Sequence, residues 1–306
     1  MAKYIAKRLI ISIITIWLLA TISFFLLRTL PGNPFQIDKI LSVEMQEKMM
    51  SYYGLDKPLV EQYMTYLSNL VKGDLGYSLK YTNRTVNSII KSTFPISADL
   101  GLRALALALP IGLFLGVISA KRRGTAVDYT CVFISVLGVS IPSFILGSFL
   151  QYIFALKLQI LPIAQWKTSL HTVLPTVALA LSLIASLTRI MRASMLEVTT
   201  QDYVKTAKAK GLSDFKVTWS HQIRNAMVPI LTMLGPMVAS VLMGTFVIEK
   251  IFAIPGLGQH FVNLITGLDY TMTMGLIVFY GTFMIAANFI VDIGYGLIDP
   301  RIRINK

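Results

Sequence analysis

The sequence predicts an all-α polytopic membrane protein with six transmembrane helices, on three observations. Of its 306 residues, 55% are hydrophobic and only 14% are charged, more apolar surface than a soluble domain of this size keeps from water. Six runs with little or no charge reach, or nearly reach, the ~20 residues that cross ~30 Å of hydrocarbon at ~1.5 Å per residue. Lys and Arg gather in alternate short connections, as they do on the cytoplasmic side of membrane proteins.

The elements follow in chain order. Residues 9–27 form the first apolar run, longer than a signal-peptide core and followed by RTLPGNP, which has no small-x-small cleavage site; residues 1–30 are therefore expected to remain as the first transmembrane helix. Residues 31–94 carry the turn signals PGNP, YGLDKP and KGDLG around short amphipathic stretches such as 60–70, which predicts a small external helical segment. The remainder, 95–306, is read as a five-helix core. Its spans are expected at about 96–120, 129–156, 168–188, 225–248 and 270–291. Asp99 and Arg103 stand four apart in the second span and are expected to pair on one helix face. Asp292 ends the last span and reads as a charge that snorkels to the interface. The uncharged run 251–268 is interrupted by Pro255, Gly256 and Gly258. A seventh span there would send the basic tail DPRIRINK outside, so this run is expected to be an external or re-entrant helix.

Orientation follows from the short loops. With the N-terminus inside, the cytoplasmic segments hold Lys3, Lys7 and Arg8, then Lys121, Arg122 and Arg123, then the basic stretch 189–224, then Arg301, Arg303 and Lys306. The short external loops hold only Lys157, Lys167 and Lys250. Both termini are thus expected in the cytoplasm. The formal charge of +13 follows from this topology and gives no argument for a nucleic-acid partner. Cys131 is the only cysteine, which excludes an intrachain disulfide, and His171, His221 and His260 have no ligand spacing.

The polar stretch at about 199–225 separates two spans. Thr200 or Asp202 is placed to cap a helix, and Tyr203, Ala207 and Gly211 follow at i, i+4 and i+8 with Lys205, Lys208 and Lys210 beside them. Gly211 suits the left-handed end of that helix. Ser213 reads as the cap of a second helix whose Phe215, Trp219 and Ile223 form a stripe. Two uses fit this pattern: a helix lying on the membrane surface, or a small-residue face inserted into a partner's groove.

TAKAKG followed by HQIRNAMVPIL resembles the EAA loop of ABC importer permeases, in the form seen in the peptide and nickel subgroup. Four further stretches are similar to the oligopeptide permease B-type family in the same order: the N-terminal span through PGNPF, the external YGLDKP segment, GVSIPSFILG, and VIEKIFAIPGLGQHFVN, with DPRIR at the end. The resemblance implies a type I ABC importer permease fold in which the loop is a coupling helix seated in a cytoplasmic ATPase. Lys205, Thr206 and Ala207 then occupy the EAA positions and Gly211 the glycine, with Tyr203 and Leu212 beside them. Lys205 and Thr206 replace the usual Glu and Ala. The resemblance also implies a translocation path along the third and fifth spans, where Ser140, Pro142, Gly235 and Gly244 lie. The implied partners are a second permease, two ATPase subunits that bind ATP and Mg, an extracellular or periplasmic peptide-binding protein, and membrane lipid. No Gly-Lys dipeptide occurs in the chain, so a phosphate-binding loop is absent and ATP hydrolysis falls to the partner. The cargo implied is an oligopeptide, with a dipeptide or metal chelate as the alternative.

The rivals fit less well. An intramembrane protease needs a nucleophile and base that meet, yet GVS at Ser140 runs into Pro142 rather than a glycine elbow. A secondary transporter usually places charge at mid-membrane, whereas Asp99, Arg103 and Asp292 fall near predicted span ends.

Overall fold

The computed structural model describes residues 2–29, 50–51, 54–79, 81, 84–243, 245–261 and 269–298. These form α1 (Ala2–Thr29), α2 (Leu59–Val71), α3 (Val86–Lys121), α4 (Ala126–Ser140), α5 (Ser143–Leu150) with a π-helical continuation (Gln151–Lys157), and α6 (Ser169–Thr199). The polar loop follows as α7 (Asp202–Ala209), α8 (Asp214–Lys216), a second π-helical stretch (Val217–Ile223) and α9 (Arg224–Ala226). The chain then returns through α10 (Val228–Leu242), α11 (Phe246–Ile251) and α12 (Tyr270–Ile298). Five helices are long and apolar enough to span a membrane, six if the bent α4–α5 pair counts as one.

The bend is the main departure from the expected elements. The third span, expected over 129–156 with Pro142 as a residue that permits a bend, turns by 99° between Ser140 and Ser143. Pro142 has no N–H to continue the helix, and its ring pushes the preceding residue out of the helical region; Ile141 accordingly sits at φ −90°, ψ 119°. The fourth span also runs past its predicted end at 188 to Thr199, because Arg192 inside it has a partner. The second begins earlier than expected, at Val86, where Thr85 accepts a hydrogen bond from Ser88 N. The fifth covers Val228–Ile251 as α10 followed by α11, close to the expected 225–248; Gly244 lies outside the described residues, as do 262–268 of the expected external helix. The predicted amphipathic stretch at 60–70 is helix α2.

In lipid, apolar burial brings no hydrophobic gain, so helices associate through close van der Waals packing and small residues. The α3–α6 contact shows this. A methyl group placed on Gly112 would stand 2.7 Å from Leu187 Cβ, and one on Gly116 2.5 Å from Met191 Cβ. The contacts advance together along both helices, which makes α3 and α6 parallel. Gly116→Ala is expected to cost about 1–3 kcal/mol through overpacking, read as a lower melting midpoint of the detergent-solubilised protein. An unchanged midpoint would show that the two backbones are not held at this distance.

α1 lies at the edge of the bundle, with Ile13, Ile22 and Leu26 each more than half exposed on a face suited to lipid. It packs antiparallel to α12. Phe24 near its end clusters with Tyr270 and Met274, and Arg8 near its start holds Asp292 at 2.8 Å. Asp292 is thus ion-paired between helices rather than snorkelling alone. The expected Asp99–Arg103 pair forms, with Arg103 Nε 3.0 Å from both carboxylate oxygens.

Candidate functional site

The polar loop is held rigidly under α6 and α10. Val204, Ala207, Val217 and Ala226 are buried in the same core as Met191 and Met195 of α6. Gln222 Nε2 donates to Thr199 Oγ1 at 3.2 Å, tying the π-helical stretch to the last turn of α6.

Helix α7 starts at an N-cap position filled by Gln201, with no side-chain cap, rather than by Thr200 or Asp202 as expected. The Thr200 hydroxyl donates back to Glu197 O at 2.8 Å and closes α6 instead. Asp202 stands in the first turn and meets Lys205 Nζ at 2.9 Å. Gly211 has φ +74°, the left-handed geometry read from the sequence; its N–H donates to Lys208 O at 2.9 Å. Ser213 Oγ accepts from Lys216 N at 3.4 Å and caps α8 as expected.

The loop's two faces are distributed differently from the sequence reading. Ala207 was placed on an outward small-residue face with Tyr203 and Gly211, yet it is 5% exposed and turned into the chain's own core. Its small side chain sets how closely α7 seats on the bundle. Leu212 is half-buried against that core. Tyr203, Lys205, Thr206, Lys208, Lys210 and Gly211 face outward. Burial pushes the Tyr203 hydroxyl above the ordinary phenol range, and a hydrogen bond with Asn225 draws it back. The expected stripe splits as well. Phe215 and Trp219 are 76% and 65% exposed and stack with ring centroids 6.4 Å apart at 6°, whereas Ile223 turns toward the core because the π-helical stretch rotates it away.

At the other candidate positions, Ser140 and Pro142 are exposed at the bend between α4 and α5. Gly235 is buried: a methyl group there would stand 2.6 Å from Asn288 Oδ1 of α12. This glycine allows α10 and α12 to approach closely. Gly244 is outside the described residues.

Two polar clusters were missed. Arg192 of α6 donates to Asp128 of α4 through Nε at 2.7 Å and Nη2 at 2.9 Å, and Ser119 Oγ and Gly124 N complete the carboxylate's partners. This clasp joins the loop-side ends of α3, α4 and α6. The available signal was a carboxylate at the very edge of an apolar run, one residue before 129, where a charge calls for a partner. Near the opposite end, fully buried Glu249 accepts from Ser97 Oγ at 2.7 Å. Ser97 Oγ in turn accepts from Leu257 N at 2.8 Å, fastening the Pro255–Gly258 turn to α3.

The described residues thus form a bundle of apolar, membrane-length helices with one bent span and a cationic helical loop at one end. The chain belongs to the family described as binding-protein-dependent transport system inner membrane component, the permease subunits of ABC importers, whose profile matches residues 112–304. The N-terminal membrane-component profile of the same systems matches residues 1–101. The chain is 46% identical to the dipeptide transport system permease protein DppB of Bacillus subtilis over 306 residues, covering 100% of this chain and 99% of the relative. It is 41% identical to the oligopeptide transport system permease protein OppB of Haemophilus influenzae over 305 residues, covering 99% and 100%. With DppB of Lactococcus lactis it shares 39% over 304 residues, again 99% and 100%.

Proposed function

We propose that this permease subunit imports peptides and converts closure of separate ATPase subunits into opening of its membrane path. The observation that carries the coupling role is the loop itself: its outward residues Tyr203, Lys205, Thr206 and Gly211 stand on a scaffold bonded to α6. Full-length similarity to dipeptide and oligopeptide permeases supports a peptide cargo. Oligopeptides are the primary reading; the similarity to dipeptide permeases supports dipeptides as the second.

In this reading the loop and both termini are cytoplasmic, consistent with the distribution of Lys and Arg. The working complex contains a second, non-identical permease, two ATPases carrying ATP and Mg, and an extracellular or periplasmic binding protein. ATP-driven closure moves the loop, and α6 carries the motion to α3 and the bent α4–α5 pair. Weak contacts along the path suit release into the cell, because a tight site would hold the cargo in one state.

Purification of the tagged chain in mild detergent, with mass spectrometry of attached subunits and ligands, tests the assignment. Two ATPases, a second permease and a binding protein loaded with peptide are expected. A chain recovered alone, or only with itself, would overturn the coupling role; a metal chelate on the binding protein would overturn the peptide cargo.

A further inference from the structure

At the end of the bundle opposite the loop, a cleft of about 630 Å³ opens between the last turns of α1, helix α2 and the first turn of α12. That volume suits a small ligand or a headgroup. Buried polar atoms in folded proteins are nearly always partnered, so clustered exceptions need an explanation. Arg28 Nε, Gln62 Oε1 and Tyr66 Oη are buried without a hydrogen-bond partner of standard geometry, and all three residues line this cleft. The Arg28 guanidinium lies over the Phe24 ring at 5.4 Å, and no carboxylate among the described residues pairs with it. Gln62 Nε2 donates to Leu55 O at 3.2 Å and Lys57 O at 2.7 Å. Two carbonyl acceptors fix the orientation of that amide and leave its oxygen in want of a donor. The Tyr66 hydroxyl has at most the neighbouring Ser23 hydroxyl, whose own proton goes to Ala20 O at 3.0 Å.

The unmet groups thus ask for an anionic oxygen beside Arg28 and an N–H or O–H donor beside Gln62. The surface of α1 next to the cleft is apolar and exposed at Ile22, Phe25 and Leu26, while Tyr63 and Tyr66 surround Phe24. An apolar face ending in aromatics and an arginine marks the level where lipid tails meet headgroups. We propose that this cleft binds one phospholipid headgroup that carries a donor, its phosphate on Arg28 and its hydroxyl or ammonium on Gln62. Phosphatidylglycerol and phosphatidylethanolamine share this chemistry; phosphatidylcholine has the phosphate but no donor. The lipid would join peripheral α1 to α2 and α12, at the far end of α1 from the Arg8–Asp292 pair.

Native mass spectrometry of the full chain, purified with whatever subunits accompany it and titrated with each of the three lipids, tests this without ATP or cargo. Success or failure is therefore read separately from peptide import. Phosphatidylglycerol and phosphatidylethanolamine are expected to be retained about tenfold better than phosphatidylcholine, the worth of one good hydrogen bond to a buried acceptor. Arg28→Gln is expected to lower retention of all three lipids about tenfold. Gln62→Leu is expected to abolish the preference over phosphatidylcholine, and Lys250→Gln, far from the cleft, to change nothing. Equal retention of the three lipids would overturn the proposal, as would retention unaltered in both cleft variants. Displacement of the lipid by inorganic phosphate alone would assign the site to a free anion, and displacement by a short peptide would assign it to cargo; either outcome overturns the lipid. If Arg28→Gln does not yield folded protein, the loss of preference in Gln62→Leu decides.

Discussion

Gly211→Asp is expected to reduce cargo uptake by at least about tenfold, equivalent to about 1.4 kcal/mol of lost coupling, while the protein still inserts in the membrane. Gly211 sits at φ +74°, and nothing within 4 Å would meet a β-carbon there. Inside this chain, then, the only obstacle to a side chain is the left-handed backbone. That obstacle costs Ala about 1–2 kcal/mol and Asp less, because its carboxylate bonds locally to the turn. A glycine needed only for its backbone would therefore tolerate Asp better than Ala. If the corner is pressed against a partner, Asp is the worse substitution, since it adds bulk and a negative charge to a face carrying Lys205, Lys208 and Lys210. Uptake by cells bearing each variant, normalised to the amount in the membrane, separates the two cases. Uptake by Gly211→Asp at or above that of Gly211→Ala would rule out docking at this corner.

Breaking the Asp128–Arg192 clasp by removing the carboxylate is expected to cost about 1–3 kcal/mol, the range for stripping a partly buried charged group of its hydrogen-bond partner. The side chain of Asp128 is 3% exposed and that of Arg192 27%, so neither can be fully rehydrated in place. Asp128→Ala alone should sharply lower the melting midpoint of the solubilised protein. The double variant Asp128→Ala with Arg192→Met removes both charges and should recover most of the loss, because the pair's attraction largely repays only its own desolvation. Equal losses in the single and double variants would show that the helix ends are held by packing rather than by the clasp. A recovered midpoint with poor uptake would separate a role in transmitting loop motion from a role in stability.

Features set within a few residues were legible in advance. The apolar runs, the left-handed turn at Gly211, the Ser213 cap and the Asp99–Arg103 pair all depend on neighbours no more than about one helical turn away. The candidate site was legible as a helix, a glycine corner and a second helix, but the inward turn of Ala207 and the outward Phe215–Trp219 stack were not. Helical spacing says which residues share a face; it does not say whether that face meets the chain's own core or open surface. The break at Pro142 had a visible cause in the proline, yet its 99° angle depends on how α5 wraps around α6 and α11.

The class of protein, the runs long enough to span a membrane, the sidedness expected from Lys and Arg, and the turn chemistry of the loop are all readable from the residues in order. These follow from transfer between water and lipid and from backbone sterics, which act residue by residue. Helix packing alone brings Arg8 to Asp292, Arg192 to Asp128 and Ser97 to Glu249, and sets the unmet atoms of Arg28 and Gln62 in one cleft. Asp128 and Arg192 are 64 residues apart and Ser97 and Glu249 152 apart. Pairings at such separations arise from how whole helices pack, and no local spacing encodes them.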